Sequence, residues 1–253
     1  AEGDGQRRLF NKGAKTMKLS QQVLNRRVFN RSVNDGLIAS TIMGQLGPLI
    51  PKDRICVDVG AATGHFTDYF APRCKFVHAF EAVPAVYMQL MKKETEFPNV
   101  KAYNLAVSDF QGKRTFYVDD KRLSNSSFQD LVGGPSFEAM VTCLDRQFTA
   151  DAKIGFIKVD VEGTELDVLA GAVEILERDR PNLLVEIYKP YTAFPIDMIF
   201  DYLMVGHGYD CYYFDKGKLI PVYSVEEGEA AVENKHSAHD GDFLFTDGTM
   251  NGA

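Results

Sequence analysis

A chain of 253 residues, 45% hydrophobic and 25% charged, can bury one large core and is too apolar to be disordered. Its longest apolar-leaning run, "GLIASTIMGQLGPLI", is too short and too broken by glycine and proline to span a bilayer. A formal charge of −7, with no interleaving of basic and aromatic residues, argues against a nucleic-acid partner.

Residues 1–53 read as a basic arm with helices, ahead of one α/β domain over 54–253. Positions 1–34 hold eight basic residues, from Arg7 to Arg31, against Glu2 and Asp4, a balance of +6 that leaves −13 on the remainder. Leu19, Val23, Leu24 and Val28 recur at helical spacing, so a helix with one packed stripe and a basic face is expected there. That face is either solvated or attracts an anionic acceptor. The four cysteines, Cys56, Cys74, Cys143 and Cys211, are far apart and form no C-x-x-C pair; they read as buried hydrophobes of a reducing, cytoplasmic compartment.

From residue 54 strands and helices alternate. "RICVDVG" is a short β-branched run ending at glycine, and "GHFTDYFAP" a brief helix stopped by Pro72. "KFVHAFEA" is a second strand, "PAVYMQLMKKET" a helix opened by Pro84, and "VKAYNLAV" a third strand. Three β–α units in a row predict a mostly parallel sheet with helices on both faces. Residues 110–150 read as an insertion between sheet strands. The alternation resumes with "GFIKVDV", a helix over 165–178, "NLLVEIY", a helix over 195–205, "YDCYYFD" and "DFLFTD". The stretch 215–240, with Glu226, Glu227, Glu229 and Glu233, reads as a mobile acidic excursion.

In a doubly wound sheet, ligands bind beyond the carboxyl ends of the strands, where the strand order reverses. Those ends are unusually acidic here. The first strand finishes in "VDVGAATGHF", with Asp58 inside an apolar run and Gly60 and Gly64 bracketing a turn into a helix. Glycines there let the backbone approach a ligand. The loop has no Walker lysine and no third glycine of a dinucleotide fingerprint. Glu81, ending the second strand, is placed to accept both hydroxyls of a ribose diol. In "FIKVDVEGTELDVL" the strand is predicted to end near Asp160, with Gly163 making the turn and Thr164 and Asp167 at capping-box spacing, so Asp160 and Glu162 lie at the ligand edge. Glu186 in "LLVEIY" ends the neighbouring strand; Asp58, Asp160 and Glu186 are expected to converge around Lys158.

"VDVGAATGHFT", "AFEAVP", "VKAYNLAVSDFQG", "CLDRQF", "FIKVDVEGTELDVLAGA" and "PNLLVEIY", in this order, resemble the FkbM-type methyltransferases over roughly residues 54–190. The resemblance implies a Rossmann-like class I fold with a seven-stranded sheet, and S-adenosylmethionine (SAM) as cofactor. It places Asp58, Gly60, Ala61 and Gly64 at the methionine end, Glu81 and Ala82 at the ribose, and Asn104, Ala106 and Ser108 near the adenine. It puts Asp160 by the amino group and the reactive methyl. A family histidine after the fifth strand is replaced here by Tyr188.

The family's preference for hydroxyl acceptors implies O-methylation of a sugar, glycan or polyketide-like molecule, with Asp160 or Glu186 taking the proton and Lys158 holding that carboxylate ionised. The insertion segment "SNSSF" and the basic arm are the expected acceptor contacts. His236, His239, Asp240 and Asp242 are available as metal ligands but read as loop residues, and no metal is expected. An NAD-type oxidoreductase and a non-catalytic adenosine-binding module are the rival readings.

Overall fold

The computed structural model describes residues 42–119, 126–130, 134–188, 192–215, 218–233 and 241–248; the basic arm, His236, His239 and Asp240 lie outside them. After a 3-10 turn (Gly47–Leu49), the elements in chain order are β1 (Ile55–Val59), α1 (His65–Phe70), β2 (Phe76–Phe80), α2 (Pro84–Leu90), α3 (Lys93–Glu96) and β3 (Val100–Tyr103). Then come β4 (Ala106–Val107), β5 (Gly112–Tyr117), β6 (Ser136–Thr142), α4 (Leu144–Gln147), β7 (Ile154–Val159), α5 (Glu165–Ala170), α6 (Val173–Asp179) and β8 (Asn182–Glu186). The chain continues through α7 (Asp197–Phe200), which runs on as a π-helical turn over Asp201–Gly206, then β9 (Asp210–Asp215), β10 (Lys218–Val222), α8 (Val225–Glu233) and β11 (Asp242–Thr246).

Eight strands form one sheet in the order β10-β9-β11-β8-β7-β1-β2-β3. The five from β8 to β3 are parallel, while β11, β9 and β10 pair antiparallel. This is the Rossmann-like class I methyltransferase arrangement expected from the sequence, with one strand more than the seven expected. The chain leaves β1 toward β2 on one side and returns to β7 on the other, so the strand order reverses between β1 and β7.

Both faces of the central strands are covered, which is why they read as continuous apolar runs. Val57, Val59, Ile157, Val159, Leu183 and Val185 pack with α5, α6 and α7 on one face. Cys56, Phe156 and Leu184 pack with Phe70 of α1 and with Leu46 on the other.

Three expectations are corrected. The helix over 165–178 is two helices: at Gly171 a Cβ would stand 2.1 Å from the Ser108 carbonyl oxygen, and this close approach breaks the run. The described part of 215–240 is ordered rather than an excursion. There β10 adds to the sheet edge, and α8 buries Gly228 and Val232 with Glu226, Glu227 and Glu233 exposed. Gly228 permits that packing, since a Cβ there would lie 2.7 Å from the Phe200 ring. Thr164 makes no side-chain cap, so the capping box does not form. Residues 110–150 supply β5 and β6, which join β4 just before them in a second, three-stranded sheet, β4-β6-β5, whose Phe116, Ala139 and Val141 pack with Val83 and Val86 at the start of α2.

Candidate active site

Alternation along β1 and β7 puts Cys56 and Phe156 on the α1 face, and the next residues on that face are charged. Asp58 and Lys158 are register partners across the two strands. Asp58 is fully buried; its Oδ2 accepts a hydrogen bond from Thr67 Oγ1 of α1 at 2.7 Å. Its Oδ1 has no hydrogen-bond partner and lies 3.8 Å from Lys158 Nζ. That ammonium donates to Asp160 Oδ2 at 2.9 Å and to the Gly60 carbonyl at 3.2 Å, and sits 5.2 Å from the centre of the Phe66 ring. Burial opposes the charge on Lys158, but Asp160 and Asp58 outweigh it and raise its pKa. Burial pushes the Asp58 carboxyl up, while Lys158 and Thr67 pull it back.

The loop from β1 into α1 alternates left-handed residues, with φ +70° at Gly60, 49° at Ala62 and +91° at Gly64. At Gly60 a Cβ would fall 1.7 Å from the Asp160 carbonyl oxygen, so the ends of β1 and β7 touch backbone to backbone. Glu81 fastens this loop. Its Oε2 accepts from Ala62 N–H at 3.0 Å and its Oε1 from Val83 N–H at 2.7 Å. A carboxylate oxygen offers two lone pairs, so each still has one for a ribose hydroxyl. Asn104 Nδ2 donates to the carbonyls of Glu81 and Ala82 at 2.8 and 3.0 Å, which makes it a brace for the same segment.

The acidic edge forms where β7 and β8 end. Asp160 and Glu186 follow the paired residues Val159 and Val185, and one carboxylate oxygen from each of Asp160, Glu162 and Glu186 lies within 4.8 Å of the other two. Asp242 on β11 is the register partner of Glu186. Burial first, then the charges of Asp160 and Glu162 and a hydrogen bond with Asp160, hold the Glu186 carboxyl well above its ordinary range. Lys158 therefore favours the ionised form of Asp160, while burial and the neighbouring charges make Glu186, hydrogen-bonded to Asp160, the harder of the two to ionise. The spacing of the three would also admit a divalent cation, but nothing beyond their proximity points to one.

The structure thus brings together Asp58, Lys158, Asp160 and Glu186 as expected, with Glu186 reached through Asp160 rather than by direct contact with Lys158. Gly60, Ala61 and Gly64 lie on the loop after β1, with the Gly60 carbonyl accepting from Lys158, and Glu81 and Ala82 follow β2. Ala106 lies in the small sheet's core with Val83, beside Ala62 and Ala82. Ser108 is fully buried; its hydroxyl donates to Asp109 Oδ1 at 3.2 Å and its N–H to the Thr142 carbonyl at 2.9 Å, which ties it to the small sheet. Of "SNSSF", the described residues Ser126, Ser127 and Phe128 are buried rather than displayed to an acceptor. Sequence reasoning missed Thr67 and Phe66, whose helix face becomes visible only once α1 is docked on β1.

A pH dependence follows. Burial raises Glu81 and Glu165 from 4.5 to about 7, against the pull of their backbone hydrogen bonds. The unfolded chain releases these protons near 4.5 and the folded one near 7, so their contribution is fully present below 4.5 and is lost as pH rises through 7. Glu186 and Asp58 act with the same sign. His78, lowered from 6.5 to about 4 by burial, opposes them only between those values. The melting temperature of the ligand-free protein is expected to fall from pH 6.5 to pH 8; a rise measured by calorimetry would contradict this placement of the buried acids.

The model of the FkbM methyltransferase domain matches residues 58–211, more than half of the chain. The chain belongs to the FkbM methyltransferase family. S-adenosylmethionine is the cofactor of the FkbM methyltransferases, and the donor set fits it. Asp58 has a buried acceptor oxygen with no hydrogen-bond partner, the glycine loop brings backbone to the crevice, and Glu81 has ribose-accepting capacity.

Among solved structures the chain is similar to an FkbM methyltransferase from Methylobacillus flagellatus, with 16% identity, a TM-score of 0.48 and 78% of this chain covered. The chain spans 44% of that protein's length. An rRNA methylase of Streptococcus thermophilus shares 14% identity at a TM-score of 0.44, covering 82% of this chain and 92% of its own. A Streptococcus mutans methyltransferase in complex with S-adenosylhomocysteine shares 11% at 0.45, covering 81% and 93%. No curated protein matches the chain. Among the described residues no helix is long and apolar enough to cross a membrane.

Proposed function

We propose that the chain is a SAM-dependent O-methyltransferase acting on a hydroxyl of a sugar, glycan or polyketide-like small molecule. The observation that carries this reading is the arrangement of Asp160, held by Lys158 on one side and joined to Glu186 on the other at the strand-order reversal. Asp58, Gly60, Ala61, Gly64, Glu81 and Ala82 would hold SAM, with Asn104 and Ala106 behind the loop. When bound, SAM supplies a methyl group already activated by its sulfonium.

The protein's part is then to position an alcohol and accept its proton. Asp160 would take the proton from the attacking hydroxyl, with SAM giving up its methyl group from sulfur and leaving as S-adenosylhomocysteine. Lys158 would favour ionised Asp160 until then, with Glu186 hydrogen-bonded beside it. Asp160, Glu162, Glu186 and Asp242 make this edge acidic, with Lys158 the buried cation beside Asp160. They disfavour an anionic group beside the reacting oxygen, so any anionic part of the acceptor would lie away from this edge.

Thermal shift separates this reading from its rivals. SAM at about 100 times its dissociation constant stabilises by about 2.7 kcal/mol, and NAD is expected to give no shift. A shift with NAD alone would favour an oxidoreductase. Screening labelled SAM against sugar, glycolipid and polyketide extracts then identifies the acceptor, and SAM binding without transfer to any of them would favour a binding module.

A further inference from the structure

Glu162 stands just past the end of β7 with φ 56°, one of three non-glycine residues in the left-handed region among those described. Gly163 follows at φ 103°. A glycine at position 162 would adopt this backbone without strain, yet the position carries a glutamate whose carboxylate lies within 4.8 Å of those of Asp160 and Glu186. Strained backbone of this kind persists only where its surroundings over-determine it.

Those surroundings hold the turn from several sides. Ser127 Oγ donates to the Glu162 carbonyl at 2.9 Å, across 35 positions of sequence. Ser127 is itself 1% exposed and fixed by a bridge to Tyr117, its N–H donating to the Tyr117 carbonyl at 3.0 Å and its carbonyl accepting from Tyr117 N–H at 2.8 Å. On the same peptide as the Glu162 carbonyl, Glu165 Oε1 accepts from Gly163 N–H at 2.9 Å, and on the next the Gly163 carbonyl accepts from Ala193 N–H at 2.8 Å. The turn is gripped from the small sheet, from its own helix and from the segment before α7.

We propose that Ser127 is a positioning residue of the active site: reaching in from the small sheet, it holds the Glu162 turn left-handed and thereby keeps the Glu162 carboxylate beside Asp160 and Glu186 on the acceptor side. This assigns the inserted sheet a role in setting the site, where the sequence offered only a loop for acceptor contact. The proposal rests on the acidic edge being the acceptor side. Its test uses neither SAM nor an acceptor, so its failure leaves methyl transfer standing, and a failure of SAM to bind leaves the test readable.

The test is a carbon-13 NMR titration of glutamate carboxyls in the full chain, with Glu186 assigned through E186Q. The groups facing Glu186 are Asp160 and Glu162 from the β7 end, Asp242 from β11, and Lys158 through Asp160. Removing the Glu162 charge in E162Q is expected to move the Glu186 titration to lower pH, because a neighbouring like charge is gone. S127A is expected to move it the same way, S127T to leave it in place, and the double variant S127A/E162Q to match E162Q alone. An S127A titration unchanged from that of the unaltered chain, or a further shift in the double variant, would overturn the proposal. Should S127A prove too unstable to titrate, melting temperatures decide. S127A is expected to lose less in the E162G background, where the left-handed backbone needs no clamp, and equal losses would overturn it.

Discussion

Asp160→Asn is expected to lower turnover, at saturating SAM and acceptor, by about 10²–10⁴-fold, the range over which a positioned proton acceptor contributes. Asparagine keeps the shape and can still accept from Lys158 Nζ, which donates to Asp160 Oδ2 at 2.9 Å, so the change isolates proton acceptance from geometry. Glu186→Gln is expected to cost less, because glutamine can still donate to Asp160 in place of the carboxyl whose pKa is raised by burial and by Asp160 and Glu162. The pair of variants separates the two carboxylates that the sequence left equivalent. If turnover of Asp160→Asn stayed within a few-fold of the unaltered enzyme while Glu186→Gln abolished it, the proton acceptor would be Glu186. If both retained turnover, no carboxylate base would operate and positioning alone would carry the rate.

Gly60→Ala is expected to destabilise the fold by at least about 4 kcal/mol, or about 10 °C in melting temperature, and to abolish SAM binding. The added Cβ would lie 1.7 Å from the Asp160 carbonyl oxygen, and the residue's φ of +70° is one that alanine adopts only with strain. Backbone cannot yield as a flexible side chain would, so the ends of β1 and β7 must separate, taking Asp58 away from Lys158. Gly208→Ala serves as the contrast: its φ is +66° but nothing lies within 4 Å of the added Cβ, so only the conformational cost remains. Equal losses for the two variants, measured by calorimetry, would show that close packing at the strand ends is not what Gly60 provides.

What the sequence disclosed and what it hid divide along physical lines. Asp58 and Lys158 were legible because a charge inside a β-branched run that must be buried on both faces demands a partner, and the register of β1 with β7 supplies it. Glu81 was legible from its place at a strand end. Its other duty, gripping Ala62 and Val83, was not, because it depends on where two loops fold back. The break between α5 and α6 was hidden, since leucine and valine periodicity runs straight through it and only the Ser108 carbonyl against Gly171 explains it. The ordering of α8 was hidden as well: four glutamates suggested an excursion, whereas Gly228 and Val232 packing toward Phe200 decided the outcome. Ser127 lies in the insertion segment expected to contact the acceptor, and no local pattern ties it to a carbonyl 35 residues away.

The reading as a whole stands on an acidic crevice between β1 and β7 that receives SAM and presents its methyl group to an oxygen beside Asp160. A crystal structure with S-adenosylhomocysteine tests this most directly. The account predicts the ligand at the carboxyl ends of β1 and β7, with its ribose on Glu81, its methionine end at Asp58 and Gly60, and its sulfur toward Asp160. A structure in which Lys158 and the surrounding carboxylates fill that crevice while the ligand binds elsewhere would contradict it.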